Sequence, residues 1–359
     1  MNGKIADACR AALLAWFDAH KRDLPWRRTQ DPYRIWLSEI MLQQTRVETV
    51  IPYFERFLSL FPDVHALAAA PRDSVLAAWA GLGYYRRARM LHEAAVQLSA
   101  CERFPDNAKS LREVHGIGPY TAGAVASIAF GEVTPLVDGN VIRVLSRWFD
   151  LSDDMRTGPA QKKVWALAAD LVDAERPGDW NQALMELGAR TCTPSSPSCA
   201  ACPVRASCQA YAHDTVAERP KLKPKAAPKR EALNAYVLID GDGVWLSRRR
   251  EHLRYGGLWE PPTHLRSLSE SWGNAGEIRH VLTHRELVVT VWVGEVAAGC
   301  SLEHDLEIYD QRCLVGPQSF SDRAFAVSTL AKKVLAVAGI DARARAKRNH
   351  GLNEDKAVH

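Results

Sequence analysis

Four of the eight cysteines, Cys192, Cys199, Cys202 and Cys208, fall within seventeen residues in the spacing C-x6-C-x2-C-x5-C. Four thiolates that close can enclose one centre. Tetrahedral zinc and a cubane iron-sulfur cluster both accept four-cysteine sets, so the spacing alone leaves the two open. Glu39 stands in "WLSEIMLQQT", where its neighbours at three and four residues are Ile35, Trp36, Leu42 and Gln43. A carboxyl on so apolar a helical face is desolvated, and its pKa rises toward the range useful to a general acid at neutral pH. The competing reading pairs Glu39 with Arg34 or Arg46 on a solvated face. Asp138 in "LVDGNVIRV" precedes a helical pattern and reads as an N-cap, a position that also favours the carboxylate anion. In "VHGIGPYTAG", residues 114–123, Gly116 and Gly118 break one helical pattern just before another begins. Bare backbone N–H groups at a helix start suit an anion such as a DNA phosphate, although an ordinary helix–helix turn has the same composition.

These groups need a scaffold, and the hydrophobic periodicity supplies one. From residue 5 to about 212 apolar residues recur at three and four spacing, which predicts an all-α first part. Asp31 and Pro32 are N-cap and N1 signals for a helix over about 33–44. Between Arg219 and Arg230 the stretch "RPKLKPKAAPKR" holds six basic residues, no acidic one, and Pro at 220, 224 and 228, the composition of an extended linker. Beyond it, two apolar runs around Asp-Gly-Asp-Gly predict a hairpin, "LVVTVWVGEV" a further strand, and 322–338 a helix. The predicted division is a helical domain over 1–215 carrying the cysteine loop at 192–208, a basic linker over 216–231, an α+β domain over 232–340, and a disordered basic tail over 341–359.

At 359 residues, two cores are the natural expectation. The net charge of +4 says little by itself, but Arg27 and Arg28, the group Arg86, Arg87 and Arg89, and Arg248 to Arg250 form local basic clusters. Eleven tryptophans suit stacking surfaces or large cores. No apolar run approaches the roughly 20 residues that span a bilayer, and the N-terminus lacks the apolar core of a secretory signal. The expected location is therefore the cytoplasm, where clustered cysteines read as metal ligands before disulfides.

Taken together, the Gly-Ile-Gly hairpin, "VDGN" some twenty residues later and the four-cysteine loop resemble the helix-hairpin-helix DNA glycosylases of the endonuclease III superfamily, over residues 10–212. Within it, "LPWR" at 24–27, "WLSEIMLQQT" at 36–45, "GLGYYRRAR" at 81–89 and "LVDGNVIRV" at 136–144 are similar to the MutY-type adenine DNA glycosylases. The resemblance implies a [4Fe-4S] cluster on the four cysteines and removal of adenine mispaired with 8-oxoguanine or guanine. It casts Glu39 as the acid that protonates adenine N7, Asp138 as the carboxylate that stabilises the oxocarbenium-like sugar, and Asn140 as an orienting partner. Superfamily members that cut the strand carry a Lys where this chain has Tyr120, and a phenol cannot form an imine. Base excision without strand cleavage is therefore expected, with Tyr120 in a supporting role. Because a target base must leave the duplex, Gln44, Thr45, Leu82 and Tyr84 are expected around the lesion strand, Arg27 at the adenine pocket or its phosphate side, and Gly116 and Gly118 on the DNA backbone.

"GGLWEPP" at 256–262 is similar to the start of the Nudix pyrophosphohydrolase motif, but the carboxylate cluster that should follow is missing from "THLRSLSESWGNAGEI", so no Mg²⁺ site can be assembled. The second domain thus resembles the silent Nudix-like domain with which MutY-type enzymes read 8-oxoguanine. Thr283 and His284 stand at the family's Phe-Ser-His loop, with Leu282 in place of the aromatic residue. The expectation is a monomeric, monofunctional adenine glycosylase acting on double-stranded DNA. The alternatives are a bifunctional glycosylase/lyase for oxidised pyrimidines, against which Tyr120 and the second domain argue, and a non-catalytic DNA-binding protein, which has no use for Glu39 and Asp138 together.

Overall fold

The structure is a computed structural model that describes residues 3–222, 227–263, 272–282, 284–295, 306–316 and 325–340. The chain divides into two compact units, one of Met1–Ala69 with Met90–Lys225, the other of Ala70–Arg89 with Ala226–His359. Helices α1 (Gly3–His20), α2 (Pro32–Leu42), α3 (Val47–Leu60), α4 (Val64–Ala69), α5 (Arg72–Trp79), α6 (Arg86–Ser99), α7 (Ala108–Leu111), α8 (Pro119–Phe130), α9 (Gly139–Trp148), α10 (Gly158–Leu171), α11 (Pro177–Arg190) and α12 (Gln209–Ala212) precede the strands. The expected all-α first part is present. No helix among the described residues is long and apolar enough to cross a membrane.

In the first unit, Asp31 caps α2 by accepting from the Tyr33 and Arg34 N–H groups at 2.9 and 3.4 Å, and Pro32 occupies the first helical position. From Tyr33 to Met41 all but Arg34 are buried, so α2 is an interior helix rather than a surface one. It packs against α3 and α8, while α11 packs against α1, α8 and α9. Trp148 and Trp180 are fully buried in a core shared with Leu13, Phe17, Leu145 and Leu187. An aromatic of that size buries roughly 150–250 Å², so each contributes several kcal/mol to this core.

Glycines set the helix spacing. A Cβ on Gly123 of α8 would lie 2.1 Å from the Pro135 carbonyl oxygen, and one on Gly188 of α11 would lie 2.6 Å from Asn140 Cβ. Gly123 therefore lets α8 approach the loop before Asp138, and Gly188 lets α11 approach α9, closer than any side chain allows.

The second unit carries a mixed sheet in the order β3-β2-β1-β5-β4, with β6 also paired to β2. Its strands are β1 (Lys229–Asp240), β2 (Gly243–Arg249), β3 (Trp259–Glu260), β4 (Gly273–Val281), β5 (Arg285–Glu295) and β6 (Tyr309–Val315). The predicted hairpin is β1–β2, antiparallel around Asp240 and Gly243, whereas β1 and β5 run parallel from Lys229–Arg285 to Ile239–Glu295. Leu287, Val289 and Val291 alternate inward along β5. Helix α13 (Thr329–Val337), capped by Ser328, covers β4 and β1 with Leu330, Val334 and Leu335 buried. The helix starts inside the predicted 322–338, and the predicted tail at 341–359 lies outside the described residues.

The division departs from the predicted boundaries in two places. Strand β1 starts at Lys229, inside the expected linker, because its partner Arg285 on β5 extends the ladder that far. Residues 70–89 belong with the C-terminal sheet. Arg89 Nη1 donates to the Gly256 carbonyl at 2.6 Å, Tyr85 Oη donates to the Val327 carbonyl at 3.4 Å, and Arg72 pairs with Glu251 at 2.6 Å. Exposed ion pairs contribute about 1 kcal/mol or less, and Leu76, Trp79 and Tyr85 of the segment are buried. Helical periodicity in 70–89 gave no sign of which core it would join.

The glycine spacing is testable. Gly123→Ala should destabilise the protein by about 1–3 kcal/mol through overpacking against backbone, lowering the midpoint of thermal denaturation by roughly 2–10 °C.

Candidate active site

Glu39 sits on the buried face of α2, only 4% exposed. Burial pushes its pKa up to about 7; the nearby Asp138 charge also raises it, while the hydrogen bond from Tyr120 and the charge of Arg27 oppose the shift. Tyr120 is the second residue of α8, preceded by Pro119 and the cap Gly118. Its hydroxyl donates to Glu39 Oε2 and lies 3.7 Å from Met185 Sδ. Burial raises the Tyr120 pKa far above the ordinary phenol value, so the group stays a donor.

Asp138 caps α9, with Oδ1 accepting from the Val141 N–H at 2.7 Å and Oδ2 from Asn140 Nδ2 at 2.8 Å. Burial raises its pKa, and the Val141 and Asn140 donors and the Arg143 charge pull it back toward the anion. The capping and catalytic readings of Asp138 therefore use the same oxygens. Asn140 Oδ1 in turn accepts from Arg143 Nη2 at 2.8 Å. Arg143 also donates to the carbonyls of Gly188 at 2.6 Å and Cys192 at 2.7 Å, so a continuous run of hydrogen bonds links Asp138 to the first cysteine of the loop.

Arg27 does not stand free. It donates to Glu186 Oε2 at 3.0 Å and Gln182 Oε1 at 3.2 Å, and Arg22 binds the same Glu186. Burial alone would raise the Glu186 pKa, but the Arg22 and Arg27 contacts outweigh it and lower the value. Glu186, fully buried on α11, was not among the residues singled out from the sequence. No local signal marked it: its neighbours at three and four residues are Gln182, Ala183, Ala189 and Arg190, an ordinary mixed helical face.

Around the hairpin, Gly116 has φ +86° with Met90 Cβ 3.2 Å from where a Cβ would be, and open space adjoins Gly118. Gln44 is exposed with φ 57°, and half-buried Thr45 follows it. In the second unit, Tyr84 is 48% exposed with φ 49°, whereas Leu82 is buried. His284 is exposed in the turn before β5, and Thr283 lies outside the described residues. Glu39, Tyr120, Asp138 and Asn140 are thus brought together, with Arg27 and Glu186 alongside.

Cys192, Cys199, Cys202 and Cys208 are free thiols that line one small cavity with Arg147, Arg205 and Tyr211. Among the described residues, no three His, Cys, Asp or Glu side chains are placed to share a single metal ion. Burial pushes the Cys202 thiol up to about 11 and Cys208 upward too, with the other cysteines adding to both shifts. Cys202 and Cys208 therefore ionise at neutral pH only beside positive charge. Four cysteines around one cavity are a donor set that suits a metal centre.

Residues 37–170 match the HhH-GPD superfamily of base excision DNA repair proteins. A thermostable thymine-DNA glycosylase has a similar structure (TM-score 0.53, 29% identity), covering 58% of this chain and 98% of its own. An endonuclease III trapped on DNA as a covalent intermediate shares the fold (TM-score 0.51, 20% identity), covering 60% of this chain and 99% of its own. The helical unit is therefore that of a helix-hairpin-helix base excision repair protein.

More narrowly, the chain is 36% identical to the adenine DNA glycosylase of Buchnera aphidicola subsp. Schizaphis graminum over 67% of this chain and 70% of the relative. It is 42% identical to the adenine DNA glycosylase of Arabidopsis thaliana and 47% identical to that of Homo sapiens, spanning 47% and 39% of their lengths and 71% and 56% of its own. The chain belongs to the adenine DNA glycosylase family, as its motifs suggested.

A carboxyl whose folded pKa lies above its unfolded value binds its proton more tightly in the native state. Its contribution to stability is complete below the unfolded value of 4.5 and is lost as pH rises through about 7. Glu39→Gln, which keeps an acceptor for Tyr120 without the charge, should therefore match wild type near pH 4 and be more stable above pH 7, by roughly 3 kcal/mol at most. Thermal denaturation across that pH range measures the difference.

Proposed function

We propose that the protein is a monofunctional adenine DNA glycosylase, which hydrolyses the N-glycosidic bond of adenine paired with 8-oxoguanine or guanine in double-stranded DNA. The observation that carries this reading is the buried Glu39 carboxyl, hydrogen-bonded by Tyr120 and within electrostatic reach of Asp138. One carboxyl biased toward its acid form, beside another that accepts hydrogen bonds from the Val141 N–H and the Asn140 amide, is a pairing suited to acid-assisted departure of a base. Glu39 gives its proton to adenine N7, and the electron pair of the C1′–N9 bond leaves with the base. The Asp138 carboxylate stabilises the cationic sugar, water adds at C1′, and the proton that water loses restores the Glu39 carboxyl. Asn140 holds Asp138 in place. No amine stands at position 120 to attack the sugar, which favours simple hydrolysis over strand cleavage.

On this reading Arg27 and Glu186 border the base pocket, Gly116 and Gly118 take a phosphate, and Gln44, Thr45 and Tyr84 meet the opened duplex. Buried Leu82 supports the Tyr84 loop from within. Cys192, Cys199, Cys202 and Cys208 would hold a [4Fe-4S] cluster, which supplies covalent cross-linking of the loop and a one-electron couple. The C-terminal unit is proposed as a silent Nudix-like reader of 8-oxoguanine through Thr283 and His284, with the protein acting as a cytoplasmic monomer on chromosomal DNA.

Single-turnover incubation with duplexes carrying adenine opposite 8-oxoguanine, adenine opposite guanine, and thymine glycol opposite adenine tests this directly. Strand breaks should appear only after hot alkali and only in the two adenine mispairs. The rate should fall as pH rises through about 7, as Glu39 loses its proton. Breaks without alkali, or action on thymine glycol, would replace this reading with the lyase.

Asp138→Asn separates chemistry from capping. Asn keeps an oxygen for the Val141 N–H but not the acceptor that Asn140 uses, so thermal stability should change by no more than about 1–2 kcal/mol, while adenine release should slow by on the order of 10²–10³-fold. An unchanged rate would reduce Asp138 to a cap.

A further inference from the structure

Arg147, in the last turn of α9, is 3% exposed. Its guanidinium donates to the carbonyls of Thr193 at 2.7 Å, Pro194 at 3.0 Å, Val216 at 3.1 Å and Arg219 at 3.0 Å, and to Cys192 Sγ at 3.4 Å. Its own carbonyl accepts from the Cys208 thiol at 3.4 Å. Each of the three guanidinium nitrogens thus donates, yet every acceptor is formally neutral, and no carboxylate pairs with it among the described residues. Elsewhere the chain treats buried guanidinium groups differently. Arg27, Arg219 and Arg249, with side chains 12%, 10% and 12% exposed, pair with Glu186, Asp150 and Glu260 respectively. Arg143, one turn earlier on α9, adds a second cation beside Cys192. A buried charge without a partner is expensive. The partial charge at the end of α9 offsets only about half of one elementary unit.

We infer that Arg147 is the counter-charge of an anionic group held by Cys192, Cys199, Cys202 and Cys208, and so sets the electron affinity of that group. The inference rests on the proposed cluster. A [4Fe-4S] core bound by four thiolates carries net negative charge, and Arg147 lines its cavity. A fixed cation there favours the reduced, more negative form. Arg147 is a positioning and tuning residue rather than a catalytic one, since it reaches Asp138 only through the loop and α9.

The test uses the full chain purified as wild type, Arg147→Gln and Arg147→Lys. Iron and sulfide content, the melting profile, and the cluster's one-electron couple are measured, the last by redox titration with mediators. In Arg147→Gln the reduced-to-oxidised ratio at fixed potential should fall about tenfold or more, a shift of about 59 mV for one electron. Arg147→Lys, which keeps the charge, should stay within about threefold of wild type. A loaded Arg147→Gln protein with the wild-type ratio overturns the inference. If Arg147→Gln holds no iron, a loaded Arg147→Lys protein supports counter-charge, and an equally depleted one leaves Arg147 a brace for the loop and overturns it. Wild-type protein without iron and sulfide refutes the cluster itself, an outcome distinct from a loaded variant whose couple does not move.

Discussion

A carboxyl group kept out of water at the centre of α2 is the constraint around which the helical unit is arranged. Glu39 is buried because its whole helix is interior, and α2 is interior because apolar residues occupy nearly every face. That placement costs stability whenever the group ionises, and the Tyr120 hydroxyl only partly offsets the desolvation. Position 120 must therefore bring a hydrogen-bond donor that fits a buried site and remains protonated. A phenol with a strongly raised pKa does so. A lysine ammonium there would stabilise the Glu39 anion and work against an acid form near neutral pH. The choice of Tyr120 and the elevated pKa of Glu39 are two aspects of one arrangement.

Three buried or half-buried carboxylates lie in the same region in three different settings, with burial raising Glu39 and Asp138 and two arginines holding Glu186 low. Glu39 has one hydrogen-bond donor and a nearby anion; Glu186 has two arginines; Asp138 has a helix N-terminus and the Asn140 amide. The backbone elements determine these environments: a helix interior for Glu39, a helix face turned to the Arg22 and Arg27 segment for Glu186, and a helix cap for Asp138. Close approach at Gly123 and Gly188 is what allows the three to converge, since Gly188 leaves room for Asn140 and Gly123 for the strand of chain leading to Asp138.

How far the sequence revealed this depends on what each residue's signal was. The capped helix at Asp31, the hairpin before Tyr120 and the cap at Asp138 were legible because each depends on local chemistry within a few residues. The β1–β2 hairpin was legible for the same reason. Glu186 was not singled out, because its partners Arg22 and Arg27 lie about 160 positions away and no local pattern announces them. The membership of residues 70–89 in the C-terminal unit was hidden similarly: Arg72, Tyr85 and Arg89 find their partners at Glu251, Val327 and Gly256. The parallel β1–β5 pairing joins strands separated by more than forty residues and could not be read from alternation alone. Tryptophan was an ambiguous signal. Trp36, Trp79, Trp148 and Trp180 turned out to be fully buried, which resolves them as core rather than stacking surface.

Backbone conformation adds a further argument about the residues expected at the opened duplex. Gln44 and Tyr84 both adopt left-handed φ values, 57° and 49°, which cost a non-glycine residue of order 1 kcal/mol or more. The loop bearing Tyr84 does use glycine where it needs such angles, at Gly81 with φ 112° and Gly83 with φ 74°. A glycine at either 44 or 84 would relieve the strain, at position 84 with loss of the ring that the Arg87 guanidinium faces at 5.4 Å. Both side chains stand at the surface. In the proposed function an extruded nucleotide leaves a gap in the base stack, and an exposed polar and an exposed aromatic side chain on such strained backbone are groups of the kinds that can fill it.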